Sequence, residues 1–197
     1  MVYVLAGGKG RRLSADKGFL EVGGVPIIER VLAAAAPLAR EIVIVGDSPP
    51  LRALGLRSII EESRFGGPLA ALCAALADAY PHDALVVPWD APFITTPALA
   101  YLHEQQGSAD AVVPRRGEFI EPLCAVYGPR CLAAAEAAFR AGRRRSIAFY
   151  EHIRVRWVGE EELAPFGSWD RLFLNVNTPE ELDQARRLVA LEERRTG

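Results

Sequence analysis

The chain has 197 residues, 50% of them hydrophobic and 24% charged, with a formal net charge of −2. That size suits one ordinary domain with a full core, and nothing in the charge balance suggests nucleic acid or an anionic membrane as a general partner. No basic stretch followed by an apolar one opens the chain, and no apolar run approaches the ~20 residues that cross a bilayer.

In chain order, Val2–Leu5 reads as a buried strand running into a glycine-rich loop that ends near Lys17. Pro26–Leu38 is a predicted helix, Glu41–Val45 and Ser58–Glu61 are strands, and Gly67–Tyr80 is a helix. Leu85–Pro88 is a strand and Pro97–Gln106 a helix. The strands are nearly continuous in apolar residues, as expected where helices cover both sheet faces. Two of the helices begin with proline, which suits a first turn. This alternation predicts a mostly parallel sheet with right-handed crossovers, in a three-layer α/β/α sandwich.

The second half is less regular. Asp110–Pro114 and Phe119–Tyr127 read as strands, the latter antiparallel, and Pro129–Ala141 as a helix. Ser146–Glu151 reads as a short helix, Ile153–Val158 as a strand and Gly167–Asp170 as an irregular loop. Phe173–Val176 is a predicted short strand feeding a last helix, Pro179–Arg195. There is no linker, repeat or low-complexity tract, so residues 1–197 are expected to form one domain. Cys73, Cys124 and Cys131 lack C-x-x-C spacing and read as buried free thiols of a reducing compartment. His82, His103 and His152 show no metal-ligand spacing and read as surface residues.

Chemistry concentrates first in the loop after Leu5. Gly7, Gly8 and Gly10 let backbone N–H groups approach an anion, and Arg11, Arg12 and Lys17 bring positive charge. The loop is neither a Walker loop nor a G-x-G-x-x-G fingerprint, because Leu13 stands where the third glycine belongs. A glycine pair by itself serves packing as often as binding; the attached cations favour a triphosphate site.

Asp90 follows the strand Leu85–Pro88, at the strand end where open α/β sheets bind ligands. Alone it reads as a turn or N-cap aspartate. Beside a phosphate loop it reads as a ligand for Mg²⁺, which takes one or two carboxylates plus substrate phosphates. Gly66-Gly67-Pro68 opens a helix whose free N–H groups suit an anion. In Asn175-Val176-Asn177-Thr178-Pro179-Glu180-Glu181, Thr178 and Glu181 form a capping box. The two asparagines flanking Val176 would share one strand face. Arg143-Arg144-Arg145 is a cationic loop that either holds a phosphate or complements the end of the preceding helix.

The run L-A-G-G-x-x-x-R-x-x-x-D-K over Leu5–Lys17 resembles the signature of GT-A-like nucleotidyltransferases, most closely the molybdenum cofactor guanylyltransferases. Leu13 and Ser14 stand where that family shows Met and Gly. Asp90-x-Pro92 resembles its magnesium-binding D-x-P, and Gly67-Pro68-Leu69 its G-P-L segment. Pro122-Leu123-Cys124-Ala125-Val126-Tyr127 resembles its P-L-x-A-x-Y strand, and Asn175–Leu182 its N-x-N-T-P-E-[DE]-L.

The resemblance implies a Rossmann-like, GT-A-like domain whose N-terminal half binds GTP and whose C-terminal half binds the acceptor. Leu5, Ala6, Gly7, Gly8, Glu62, Gly67 and Pro68 would bind the nucleotide, with Glu62 a candidate for the guanine edge or merely a solvated strand end. Arg12 and Lys17 would neutralise the triphosphate, Asp90 would hold Mg²⁺, and Asn175, Asn177 and the Arg143–Arg145 loop would face the acceptor. The implied reaction joins GMP from GTP to the phosphate of molybdopterin or Mo-molybdopterin and releases diphosphate. A cytoplasmic location follows from the same resemblance, with molybdenum-insertion or molybdoenzyme chaperone proteins as further partners. Two alternatives remain: a cytidylyl- or other nucleotidyltransferase acting on a pterin, sugar or isoprenoid phosphate, and an inactive nucleotide-binding protein, left open by Ser14.

Overall fold

The computed structural model describes residues 1–7, 17–60 and 66–196, of which 193, 195 and 196 are described as helix backbone alone. In chain order the elements are β1 (Val2–Leu5), β2 (Glu21–Val22), β3 (Val25–Pro26), α1 (Ile27–Ala35), β4 (Ile42–Val45), α2 (Pro49–Ala53), β5 (Arg57–Ile59) and α3 (Pro68–Ala79). There follow β6 (Ala84–Pro88), α4 (Thr96–Glu104), β7 (Ala111–Arg116), β8 (Phe119–Ile120), β9 (Ala125–Tyr127) and α5 (Cys131–Arg140). The chain closes with β10 (Val155–Val158), α6 (Glu160–Leu163), α7 (Trp169–Leu172) and α8 (Pro179–Thr196).

The main sheet is ordered β10-β7-β9-β6-β1-β4-β5, with β8 paired to β7. β1 is parallel to β4 and β6, β4 to β5, and β10 to β7. β9 runs antiparallel to both β6 and β7, which makes it the expected antiparallel element. Because side chains alternate along a strand, each central strand feeds two cores. Val2 and Val4 pack with Ile28, Val31 and Leu99 of α1 and α4. Tyr3 and Leu5 pack with Leu69, Leu72 and Ala135 of α3 and α5. All four residues of β1 are buried, which explains the unbroken apolar run of the N-terminal strand. The three-layer α/β/α sandwich is therefore as expected.

Several local readings are corrected. Val22-Gly23-Gly24-Val25 is a hairpin that the sequence reading missed: Val22 pairs with Val25 across two glycines of φ 60° and 69°. A two-residue loop with both φ positive is the hairpin turn that suits strand twist, and Gly-Gly was its available signal. The stretch Phe119–Tyr127 is two strands, because Glu121–Cys124 turns between them, with Cys124 N–H donating to the Glu121 carbonyl at 3.2 Å. Ser146–Glu151 is a run of turns ending in a 3₁₀ turn at Tyr150–His152 rather than a helix. Phe173–Val176 is no strand: α7 occupies the preceding loop, and Val176 is buried with Val22, Ile27, Leu182 and Val189 beneath α8. Its apolar residues fill that satellite core rather than extending the sheet.

The three cysteines are free thiols, and burial pushes Cys73 up to about 11 and Cys131 up to about 12. The three histidines are exposed. Among the described residues no helix is long and apolar enough to cross a membrane.

Candidate active site

Three parallel strands end together. Leu5 lies in register with Val45 on one side and Pro88 on the other, so Ala6–Gly7, Gly46–Asp47 and Trp89–Asp90 leave the same sheet edge. The crossing is tight. Ala6 N–H donates to the Val45 carbonyl at 2.9 Å, and a Cβ on Gly46 (φ +150°) would lie 2.5 Å from the Ala6 carbonyl oxygen. Leu5 and Ala6 are buried at this edge, whereas Gly7 is exposed with open space where a Cβ would sit. Gly8, Arg12 and the rest of residues 8–16 lie outside the described residues, as does Glu62 within 61–65.

Lys17 opens a 3₁₀ turn, Lys17–Phe19, that is seated on Trp89. A Cβ on Gly18 would meet the indole Cε3 at 2.5 Å, and Phe19 meets the same ring edge-on with centroids 6.5 Å apart. Trp89 is thus core and also the platform that aims Lys17. The Lys17 Nζ forms a buried ion pair with Asp90 Oδ2 and donates to Asn177 Oδ1 at 2.6 Å. Lys17 is 7% exposed and Asp90 8%. A buried ammonium needs both a counter-charge and acceptors, and these two residues supply them.

Asn177 arrives by a different route from the one the sequence suggested. Val176 N–H donates to the Asp90 carbonyl at 2.8 Å, which pins an irregular segment across the end of β6. The capping box forms as read: Glu181 Oε2 accepts from the N–H groups of Asn177 (2.6 Å) and Thr178 (2.9 Å), and Glu181 N–H donates to Thr178 Oγ1 at 3.3 Å. The two asparagines do not share a strand face. Asn177 is turned to Lys17, while the Asn175 Oδ1 is buried with no hydrogen-bond partner among the described residues.

A cleft of about 450 Å³ opens from this junction, lined by Asn175, Asn177, Glu121, Arg116, Phe119 and Trp169, with further residues of α7 and α8. The sequence reading placed Asn175 and Asn177 on the acceptor side, and both line this cleft; it missed Arg116, Phe119 and Trp169. These three come from the β7–β8 hairpin and from α7, and an exposed phenylalanine two residues past Gly117 was the signal available. Arg116 is committed to Asp170 (2.6 Å) and Glu160 (3.4 Å) and lies over the Trp169 ring at 5.4 Å. The Glu121 carboxyl is mostly buried; desolvation first, and the neighbouring Asp90 charge second, push it up to about 7.

The Arg143–Arg145 loop does not join this cleft. It lines a separate depression with Ile147, Ala148 and Glu151. The Arg144 carbonyl accepts from Leu69 N–H at 3.3 Å, and Arg144 lies 3.6 Å from a Cβ position on Gly67. Gly67 (φ +107°) and Pro68 begin α3 there, so the loop sits against the segment read as nucleotide-binding. The reason is α5, which packs beside α3 and ends at this sheet edge. Arg143 is itself paired with Glu151 at 2.8 Å.

The donor set at the sheet edge suits a hard cation: one carboxylate, Asp90, with the Asn177 amide oxygen held beside it by Lys17.

The MobA-like NTP transferase domain family matches residues 2–156. The chain is 40% identical, over 98% of its length and 94% of the relative's, to a probable molybdenum cofactor guanylyltransferase of Pelotomaculum thermopropionicum. It is 33% identical, over 94% of both chains, to a molybdenum cofactor guanylyltransferase of Desulfosudis oleivorans. Among solved structures it is similar to the molybdopterin-guanine dinucleotide biosynthesis protein A of Archaeoglobus fulgidus, with a TM-score of 0.83, 28% identity, and coverage of 96% of this chain and 98% of that one.

Proposed function

Since the chain belongs to the MobA-like NTP transferase family, we propose that it transfers GMP from GTP to the terminal phosphate of molybdopterin or Mo-molybdopterin, giving a guanine dinucleotide and diphosphate. The observation that carries this is the Lys17–Asp90–Asn177 junction, which unites the N-terminal loop, the strand-end aspartate and the C-terminal asparagine motif at one point. The two curated relatives named above, matched over nearly their full length, support the choice of GTP and of a molybdopterin acceptor.

In the reaction an oxygen of the acceptor phosphate forms a bond to the α-phosphorus of GTP. The bond from that phosphorus to the bridging oxygen breaks in line, and the electron pair leaves with diphosphate. No covalent enzyme intermediate is needed, so positioning and charge stabilisation supply the catalysis. The loop after Leu5 suits the triphosphate. The start of α3 does not offer the free donors expected of it: Pro68 has no N–H, Leu69 N–H donates to the Arg144 carbonyl, and the Ala70 and Ala71 N–H groups donate to the Gly67 carbonyl. Lys17 offsets charge on the departing diphosphate, with Arg12 as a second cation. Asp90 and Asn177 would hold Mg²⁺, which supplies Lewis-acid polarisation of the phosphate oxygens and neutralises their charge. With Asp90 and Asn177 so engaged, Lys17 would have phosphate oxygens as its partners in their place. On this reading residues 1–197 form one cytoplasmic domain, with the nucleotide on the β1–β4–β5 half and the acceptor on the β9–β7–β10 half.

Calorimetry with Mg²⁺ and each of GTP, CTP, ATP and UTP, followed by diphosphate release with molybdopterin, tests the proposal. Selective GTP binding and GTP-dependent release are expected. Selective CTP binding would move the product to a cytosine dinucleotide, and no binding would overturn the site.

A further inference from the structure

Two polar groups on the wall of the Asn175–Asn177 cleft have no protein partner among the described residues. The Asn175 Oδ1 is buried without a hydrogen bond. The Glu121 carboxyl is mostly buried, and Arg116, the cation that acts on it among the described residues, is already held by Asp170 and Glu160. Both are acceptors. A buried acceptor left unmatched is costly, so a ligand that fits here brings donors. A phosphate does not: among the described residues it would meet the Glu121 carboxyl beside a cation, Arg116, already engaged by two carboxylates.

Above these acceptors the cleft is aromatic. Trp169 and Phe173 pack at 4.5 Å between centroids, and Phe119 projects from the β7–β8 hairpin with 68% of its surface exposed. The Arg116 guanidinium lies over one face of the Phe119 ring at 6.0 Å, and the ring's large exposure leaves the other face to a planar partner. Stacking surface plus adjacent acceptors describes the complement of a flat heterocycle with neighbouring N–H and NH₂ donors.

We propose that Phe119 and Glu121 read the 2-amino-4-oxopyrimidine ring of the acceptor, Phe119 stacking on the pterin and the Glu121 carboxylate accepting from its N3–H and 2-amino groups. This rests on the guanylyltransferase reading for the identity of the acceptor. Guanine carries the same edge, but the sheet order separates the two sources. The cleft belongs to the β9–β7–β10 half and to the face that carries α7, whereas Gly7 follows β1 and Gly67 starts α3, which packs on the opposite face of the sheet. The pterin therefore occupies the cleft, with its phosphate directed to Lys17 and Asp90 and its ring to Glu121.

The test is a fluorescence titration of the full chain with pterin and with lumazine, which replaces the 2-amino group by an oxo group. Wild type is expected to bind pterin at least ten-fold more tightly than lumazine, with and without saturating GTP and Mg²⁺. Glu121→Gln should erase that preference. Phe119→Ala should weaken both ligands about five-fold or more, and Phe119→Tyr should restore them. Thermal melts of each variant verify folding, and Phe119 is exposed enough that its replacement spares the core. Equal affinity for the two ligands, no pterin binding up to millimolar concentration, or displacement of pterin by GTP overturns the proposal, the last by showing that the cleft reads guanine. Turnover separates the two readings. Pterin selectivity without turnover on molybdopterin would sink the guanylyltransferase reading alone. Turnover with an unchanged acceptor KM in Glu121→Gln would sink this one alone.

Discussion

Lys17 and Asp90, separated by 73 positions in the chain, form a buried ion pair at the end of β6, and Asn177 accepts from Lys17 on the side that faces the cleft. The pair is a structural contact in the free protein, and on the proposed function its two members also serve the nucleotide. Removing either partner therefore has two consequences.

Asp90→Ala is expected to lower turnover at least 100-fold and also to destabilise the fold. The Lys17 ammonium would be left buried without its counter-charge, which typically costs about 3–5 kcal/mol. A lysine able to snorkel outward would reduce that figure. Denaturant melts of Asp90→Ala beside Lys17→Met/Asp90→Ala check it: the double variant should recover part of the lost stability. No recovery would mean that the pair contributes little to the fold.

Gly18→Ala should cost about 1–3 kcal/mol, because the added Cβ would overlap the Trp89 ring at 2.5 Å and that ring is only 3% exposed. Since the same turn carries Lys17, turnover should fall about ten-fold or more. A lowered melting temperature with unchanged kcat would show that Lys17 finds its place without the Gly18–Trp89 contact.

Glu181→Ala removes the carboxylate that accepts from two successive N–H groups, those of Asn177 and Thr178. A lost cap costs about 1 kcal/mol, which in a chain of this size lowers Tm by roughly 2–4 °C. Release of the Asn177 backbone should raise the acceptor KM more than the GTP KM, measured by steady-state kinetics. Equal effects on both would place Asn177 outside the acceptor half.

Glu121 sets a pH dependence. Its ordinary value is 4.5 and burial raises it to about 7 in the folded chain. Between those values the unfolded chain has lost the proton and the folded chain keeps it. Stability therefore falls as pH rises from about 4.5 to about 7 and is level above. Glu121→Gln cannot lose a proton, so its stability relative to wild type should rise across that window in paired denaturant melts. A difference that stays flat from pH 4 to pH 8 refutes the burial of this carboxyl.

Much of the fold was legible in the chain. Val2–Leu5, Glu41–Val45 and Leu85–Pro88 announced buried parallel strands because strands covered on both faces carry apolar residues throughout. Thr178 and Glu181 announced a helix start through local hydrogen bonding alone. Phe173–Val176 misled because a short apolar run fits a strand and a satellite core equally well, and only the position of α8 above it decided between them. The Gly23–Gly24 hairpin was legible in principle from its flanking valines.

The sequence by itself determined which residue types stand at the ends of β1 and β6, since the motifs around Lys17 and Asp90 are written in consecutive residues. Tertiary structure alone decided how they meet. The pairing of Lys17 with Asp90 depends on a turn seated on Trp89. The union of Asn175, Glu121 and Phe119 in one cleft depends on β9 inserting antiparallel between β6 and β7. The docking of Arg144 on Gly67 depends on α5 lying beside α3. Each of these joins residues far apart in the chain, where side-chain periodicity carries no information about the partner and only packing of the whole sheet fixes the contact.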